Sequence, residues 1–167
     1  YEASRGCPFN CKYCLSSIEK GVRFLPIEKV KKELGIFLGQ KVNQVKFVDR
    51  TFNCNEDYAI EIIRFLIEND NEITNFHFEV AADLITDKFL SELSYARKGL
   101  FQLEIGVQTT NRETLEVISR KSDFSHLSRV VNKILDLNTI HIHLDLIAGL
   151  PLENIESFSK SFDDVYN

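Results

Sequence analysis

The sequence contains no methionine and no tryptophan among its 167 residues. It also has no apolar run long enough to cross a bilayer, and its first residues have neither the basic start nor the apolar stretch of a signal peptide. We therefore expect a cytoplasmic protein without a membrane partner. The absence of methionine, in a sequence that starts at Tyr1, predicts a fragment of a longer chain.

An excess of positive charge is also missing. The formal net charge is −5 and the isoelectric point is about 5.4, so no global positive field concentrates a polyanion such as nucleic acid. A small molecule is the expected partner, and no nucleic acid is predicted. With 44% hydrophobic residues, the chain can bury one substantial core, which predicts a single domain over residues 1–167.

The periodicity of apolar residues predicts alternating strands and helices. Five segments predict strands, at residues 1–4, 44–48, 76–81, 101–109 and 141–148. Six segments predict helices, at residues 26–38, 57–69, 87–97, 111–118, 125–137 and 155–166. Asp57, Thr86 or Asp87, and Ser125 are the expected N-caps of three of these helices. This alternation predicts an α/β fold with a parallel sheet.

Three of the predicted strands combine an apolar face with a polar face, because successive side chains point to opposite sides of a sheet. In one of them, Leu103 and Ile105 alternate with Glu104 and Gln108. A parallel strand buried on both faces is almost continuously hydrophobic, and burying an unpaired carboxylate is costly. The polar face therefore predicts an open, partial barrel with a binding site inside. The alternative is that these groups pair with one another or lie at exposed strand ends.

Three cysteines follow the first predicted strand as Cys7-Pro-Phe-Asn-Cys11-Lys-Tyr-Cys14. This position is the carboxyl edge of the sheet, where parallel α/β folds bind their ligands. Soft thiolates suit iron–sulfur centres, and three of them can hold three corners of a [4Fe-4S] cluster. The fourth iron then has no protein ligand, which makes it a place for chemistry as well as for electron storage.

This spacing is similar to that of the radical S-adenosylmethionine (SAM) enzymes, which the sequence resembles over essentially its whole length. The resemblance implies that SAM chelates the free iron and is cleaved by one electron to methionine and a 5′-deoxyadenosyl radical, which abstracts hydrogen from a substrate. It implies an electron donor such as flavodoxin or ferredoxin. It also implies a partial barrel that usually has six strands, so the five predicted strands indicate a truncated barrel.

The similarity is greatest to the branch with anaerobic magnesium-protoporphyrin monomethyl ester cyclase, cobalamin-dependent radical enzymes and coproporphyrinogen dehydrogenase. Residues 76–81, 103–109, 120–121 and 143–151 carry it. By this resemblance, the guanidinium of Arg120 holds the SAM carboxylate, and the acidic side chains lie near the ribose hydroxyls. The backbone of residue 13 and of residues 147–152 holds adenine. The implied SAM contacts are Tyr13, Glu79, Gln108, Arg120, Asp145 and Ile147. Cobalamin would require a domain outside this sequence.

One segment departs from the family pattern. Many members have a Gly-Gly-Glu motif after the second strand that meets the methionyl amino group. Here the segment is Lys46-Phe-Val-Asp49-Arg50-Thr51-Phe52, in which Asp49 or Thr51 is the candidate replacement.

Alternatives remain for several residues. Cys54 would be the fourth ligand of a structural zinc ion, in a binding module without catalysis. His141, His143 and Asp145 would be ligands of a zinc-dependent hydrolase. Arg120 would be a solvated cation at a helix end. Two further residues share the polar face: Glu104 is either a substrate or cofactor residue or the partner of a buried histidine, and His77 is expected to be structural.

Overall fold

A four-stranded parallel sheet forms the centre of the fold in the computed structural model, which describes residues 1–18 and 21–166. In chain order the elements are β1 (Ser4–Cys7), β2 (Gly21–Phe24), α1 (Ile27–Gly39), β3 (Gln44–Lys46), α2 (Glu56–Glu68), β4 (Asn75–Val80), α3 (Asp87–Leu93), β5 (Phe101–Gln108), α4 (Arg112–Val117), α5 (Phe124–Asp136), β6 (His141–Leu146) and α6 (Ile155–Tyr166).

The sheet has the strand order β3-β4-β5-β6, and each neighbouring pair is parallel. Parallel neighbours require crossover connections, which the intervening helices supply. The carboxyl ends of all four strands therefore meet at one edge of the sheet. The predicted α/β class and the parallel sheet are confirmed, whereas the predicted number of five parallel strands is wrong.

The first predicted strand belongs to a separate antiparallel pair. Strand β1 pairs with β2, a strand that the periodicity did not predict. Among residues 1–7, Tyr1 extends the main sheet: its amino group donates to the Lys46 carbonyl at 2.8 Å, and its carbonyl accepts from the Val48 amide at 2.9 Å. The chain leaves β3 because the buried Asp49 carboxylate binds the Ala3 amide at 3.0 Å and the Ser4 hydroxyl at 2.6 Å. Residues 4–7 are then free to pair with β2.

A glycine makes this pairing possible. Gly6 has a φ of +108°, and a Cβ at this position would overlap the carbonyl oxygen of Gly21. Only glycine adopts this conformation without a steric penalty and allows so close an approach of two backbones. The pair β1–β2 therefore has a fixed register, and Cys7, directly opposite Gly21, starts the cysteine loop from a defined position.

The core lies between the outer face of the sheet and the helices. Phe78 on β4 stacks on Phe52 with ring centroids 4.1 Å apart, and Leu103 and Ile105 on β5 are fully buried. Helix α2 contributes Ile62 and Ile63, which are also fully buried. The predicted alternation along β5 is thus confirmed, since its apolar side chains face the core.

Helices α2, α3, α4 and α5 each begin with a side chain that accepts a hydrogen bond from a free backbone amide, as expected for N-caps, and Asn111 is the cap of α4. Thr86 caps α3, as predicted. The cap of α2 is Asn55, because Asp57 lies inside the first turn and binds Lys88 at 2.6 Å. Likewise Asp123 caps α5 by accepting from the Ser125 amide at 3.0 Å, so the predicted cap Ser125 is wrong. Among the described residues, no helix is both long and apolar enough to span a bilayer.

Candidate active site

The cysteine loop is pinned to the rest of the fold by its own backbone. The amide of Lys12 donates to the carbonyl of Ile118 at 2.9 Å, just after α4, and the amide of Cys14 donates to the Cys11 carbonyl at 3.1 Å. All three thiols of the motif are free, with Cys11 buried and Cys7 and Cys14 half-buried. The loop therefore presents three available sulfur ligands at the carboxyl edge of the sheet.

A cavity of about 220 Å³ lies between this loop and the carboxyl ends of the strands. It brings together eight of the nine predicted cluster ligands and SAM contacts: Cys7, Cys11, Tyr13, Cys14, Glu79, Gln108, Arg120 and Asp145. The ninth, Ile147, does not line the cavity. Its amide donates to the Gln108 carbonyl at 2.9 Å, and its side chain packs against Leu115, Ile118 and Leu150.

Arg120 connects three parts of the cavity wall. Its Nη2 donates to the carbonyl of Gly106 on β5, and its Nη1 donates to the Tyr13 hydroxyl at 3.3 Å and lies 4.0 Å from the Cys11 sulfur. Its Nε is buried and has no hydrogen-bond partner among the described residues. Arg120 is therefore not a solvated cation at a helix end, and its buried Nε–H is available to an acceptor on a ligand.

The end of β5 is irregular where it borders the cavity. The register with β6 shifts between Gly106 and Gln108, and Gln108 has a φ of +72°, in the left-handed region. The amide of its side chain folds back over Gly106, where a Cβ would overlap it. A non-glycine residue held in this conformation is a feature that clusters at functional sites.

Three carboxyl groups share the inner face of the sheet: Glu79 on β4, Glu104 on β5 and Asp145 on β6. Burial and the charge of Glu104 raise the pKa of Glu79. Burial and the charge of the neighbouring Glu104 raise the pKa of Asp145. Glu79 and Asp145 therefore hold protons more tightly than free carboxyl groups do.

Glu104 is the partner of a buried histidine, which is one of its two predicted alternatives, and a role with substrate or cofactor stays a prediction. It lines the cavity, and its Oε2 lies 2.9 Å from Nε2 of the buried His77 and 3.6 Å from Nζ of Lys46. Burial lowers the pKa of His77. The imidazole is therefore mainly a neutral neighbour of Glu104, and Lys46 supplies the positive charge.

Residues 46–52, which stand in place of the Gly-Gly-Glu motif, include two candidates that lie in different surroundings. The Asp49 carboxylate accepts from Ala3 and Ser4 and does not line the cavity, which favours Thr51 of the two candidate replacements. Thr51 lines the cavity, with its Oγ1 3.5 Å from the Cys7 sulfur. Arg50, which the sequence analysis did not select, also lines the cavity. Its position just beyond β3, at the same edge as the other site residues, was the available signal.

Comparison with known proteins agrees with this geometry. The family model described as the radical SAM superfamily matches residues 1–165. The chain belongs to this superfamily. Radical SAM proteins use a [4Fe-4S] cluster and SAM, and the expectation of both cofactors, which rested on the spacing of three cysteines, is confirmed at the level of the family.

The relatives agree with the predicted branch. An uncharacterised methyltransferase of Pyrococcus horikoshii is 30% identical over 122 residues, covering 70% of this chain and 26% of its own length. The cobalamin-dependent radical SAM methyltransferase TokK of Streptomyces tokunonensis is 26% identical, covering 95% of this chain and 24% of its own. The chain thus spans about a quarter of the length of these curated relatives.

Solved structures share the fold. The methyltransferase TsrM from Kitasatospora setae, with cobalamin and a [4Fe-4S] cluster bound, has a TM-score of 0.83 at 17% identity and covers 99% of this chain and 31% of its own. Coproporphyrinogen III oxidase (HemN) from Escherichia coli has a TM-score of 0.68 at 21% identity and covers 96% of this chain and 39% of its own. The partial-barrel fold of radical SAM proteins is therefore confirmed.

The residues present suit the two cofactors of the superfamily. Each thiolate of a [4Fe-4S] site binds a separate iron, so its ligands surround a volume instead of converging on one point. The three thiols here share the wall of one cavity, and the unpaired Arg120 Nε is available for a carboxylate. Over residues 1–18 and 21–166, no three His, Cys, Asp or Glu side chains converge as ligands of a single metal ion would. The arrangement gives no support to the zinc alternatives with Cys54 or with His141 and His143.

Proposed function

We propose that this chain is the catalytic core of an enzyme that cleaves SAM reductively at a [4Fe-4S] cluster held by Cys7, Cys11 and Cys14. When bound, the cluster supplies the electron that converts SAM to methionine and a 5′-deoxyadenosyl radical, which abstracts hydrogen from the substrate. One observation carries the proposal: three free thiols and the polar ends of three parallel strands line the same cavity.

The side chains around the cavity bind and orient SAM. Arg120 engages the carboxylate, because a guanidinium can donate two parallel hydrogen bonds and is already fixed by Gly106 and Tyr13. Glu79, Gln108 and Asp145 hold the hydroxyl and amino groups. The backbone of residue 13 and of residues 147–152, starting at Ile147, borders the adenine. Holding the reacting groups in one geometry removes much of the entropic cost of the reaction.

Two partners complete the proposed reaction. The electron comes from a donor protein such as flavodoxin or ferredoxin, and the hydrogen atom comes from a small-molecule substrate. In this proposal, residues 1–167 form the radical SAM core domain, and the identity of the substrate is left open.

The test is the formation of 5′-deoxyadenosine by protein reconstituted with iron and sulfide without air. On reduction with SAM present, the wild type is expected to form it, and the variants Cys7→Ala, Cys11→Ala and Cys14→Ala are expected to form none above background. Cys54→Ala is the matched control, because Cys54 is a half-buried thiol outside the motif, and it is expected to keep activity. A colourless protein that binds one zinc ion through four protein donors contradicts the proposal.

The relatives support a second candidate, in which SAM also supplies a methyl group. TokK is named a cobalamin-dependent methyltransferase, and it covers 95% of this chain. Transfer of the methyl group converts SAM to S-adenosylhomocysteine, so chromatography of the nucleosides distinguishes the two candidates. In a protein that also contains a cobalamin domain, S-adenosylhomocysteine that forms only with added cobalamin supports methyl transfer, and 5′-deoxyadenosine alone supports hydrogen abstraction.

A further inference from the structure

The hydroxyl group of Thr51 lies beside the sulfur of the first cysteine in the motif. Its Oγ1 is 3.5 Å from the Cys7 sulfur, and Thr51 is only 4% exposed. Because Thr51 is buried, water cannot readily take the place of its hydroxyl in this contact. The geometry therefore puts one fixed hydroxyl against one of the three sulfur atoms that the proposed function assigns to the cluster.

The position of Thr51 is fixed from both sides along the chain. Two residues before it, the Asp49 carboxylate accepts from the Ser4 hydroxyl at 2.6 Å. Two residues after it, the side chain of Asn53 forms two hydrogen bonds of 2.9 Å with the backbone of Ala81, one as donor and one as acceptor. The hydroxyl is thus held in place before any cofactor binds, as expected of a group that supports a metal ligand.

The direction of the hydrogen bond depends on the state of the sulfur. In the structure, the Thr51 hydroxyl donates to the carbonyl of Arg50 at 2.7 Å, so its oxygen is free to accept from the thiol of Cys7. A cysteine that binds iron is a thiolate and has no proton to donate. A hydroxyl that donates to an anionic sulfur forms a stronger hydrogen bond than one that donates to a neutral carbonyl. An ionised Cys7 therefore favours the opposite direction, from the hydroxyl to the sulfur.

We propose that Thr51 is a positioning residue that acts through Cys7: its hydroxyl donates to the sulfur of the bound ligand and raises the reduction potential of the cluster. This inference rests on the proposed function. Hydrogen bonds to the sulfur atoms are among the factors that set the potential of an iron–sulfur centre. Reduction adds negative charge that the sulfur ligands share, so a donor stabilises the reduced state more than the oxidised state.

A second donor near the cysteines differs from Thr51 in one respect. Nη1 of Arg120 lies 4.0 Å from the Cys11 sulfur, but the proposed function uses Arg120 for the carboxylate of SAM. The influence of Arg120 on the potential therefore depends on SAM, whereas the influence of Thr51 does not. If Thr51 serves the amino group of SAM instead, its removal weakens SAM binding and leaves the potential without SAM unchanged.

The test is a redox titration of the reconstituted protein without SAM, followed by EPR spectroscopy of the reduced cluster. For Thr51→Val, which keeps the shape but removes the hydroxyl, the equilibrium constant of reduction is expected to fall by up to about tenfold. This corresponds to a potential about 59 mV more negative for one electron. Thr51→Ser keeps the hydroxyl and is expected to have the wild-type potential. The difference between wild type and Thr51→Val should persist when SAM is added.

A matched control removes a buried hydroxyl away from the cysteines. Thr74 is fully buried directly before β4, at the amino end of the strand, so it lies at the opposite edge of the sheet. Thr74→Val is expected to leave the potential unchanged. Where Thr51→Val takes up no cluster, pulsed EPR of the wild type and of Thr51→Ser in H2O and D2O decides. Both proteins should show an exchangeable proton coupled to the reduced cluster.

Each outcome bears on one conclusion. A Thr51→Val potential equal to or above that of the wild type overturns this inference and leaves the proposed function standing. An equal fall in Thr51→Ser or in Thr74→Val also overturns it, as does the absence of an exchangeable proton coupled to the wild-type cluster. A wild-type protein that takes up no iron–sulfur cluster overturns the proposed function itself.

Discussion

The two faces of strand β5 differ in burial and in chemistry. On the outer face, Leu103 and Ile105 are fully buried and belong to the hydrophobic core. On the inner face, Glu104 and Gln108 are half-buried, line a cavity and carry strained or charged groups. One face of this strand thus belongs to the core, and the other face borders the proposed active site. Changes on the two faces should therefore have separable effects.

The largest expected effect is on the outer face, for Phe78→Ala on β4. Phe78 is fully buried and packs against the rings of Phe47, Phe52 and Phe101, so its removal leaves a cavity. We expect a loss of about 3–5 kcal/mol in the free energy of unfolding, measured by chemical denaturation. Tyr95→Ala, at a side chain that is 70% exposed, is the control and should change it little.

If the two faces are separable, the folded fraction of the Phe78→Ala protein binds SAM with wild-type affinity. An affinity that falls in proportion to stability would contradict the separation of the two faces.

The second effect, on the inner face, is expected for Arg120→Lys. Lysine keeps the charge but cannot hold Gly106, Tyr13 and a carboxylate through one planar fork. The loss of one charge-assisted hydrogen bond, about 1.5 kcal/mol, predicts SAM binding about tenfold weaker in equilibrium titration. Arg112→Lys, at a side chain that is 92% exposed, is the matched control and should bind as the wild type does. Equal affinity of both variants would show that Arg120 has no special role.

Much of this division follows from the sequence alone. Alternation along residues 101–109 predicted both faces of β5, because a period of two leaves no choice of which side chains share a face. The three cysteines and the strand-end residues were also predictable, since parallel strands bring their carboxyl ends to one edge.

Other features depend on pairing between distant segments and were not predictable. Strand β2 has four residues with mostly exposed side chains, so it has no apolar alternation to detect. Its pairing depends on the approach of Gly6 to Gly21. The contact of Glu104 with Lys46 and His77 likewise depends on the register between strands, which a linear pattern does not specify.

A smaller effect is expected for Gly106→Ala, which changes the inner face without changing charge. The new Cβ overlaps the side-chain amide of Gln108 and lies 3.6 Å from Nη2 of Arg120, so the amide must move. We expect a loss of about 1 kcal/mol in unfolding free energy and severalfold weaker SAM binding. Gly39→Ala is the control, because nothing lies within 4 Å of its Cβ and alanine favours a helix. An unchanged affinity for Gly106→Ala would remove Gln108 from the binding site.

The smallest effect is expected for Glu79→Gln, because the charge of Glu79 on the inner face lowers the free energy of unfolding. The pKa of Glu79 is raised by burial and by Glu104, so its ionisation is less favourable in the folded than in the unfolded chain. The penalty is absent below the unfolded pKa, grows as pH rises from the unfolded to the folded pKa, and is complete above the folded one. Glu79→Gln should therefore stabilise the protein at neutral pH, by less than about 1 kcal/mol, and the gain should vanish in acid.

The matched control is Glu113→Gln, an exposed carboxylate in the first turn of α4. Here the helix dipole favours the negative charge, so we expect slight destabilisation at neutral pH. Thermal unfolding over a range of pH measures both variants. Stabilisation by Glu79→Gln that persists in acid would show that its origin is packing. Opposite signs for the two variants would show that the inner face, unlike the helix surface, holds its charge at the expense of stability.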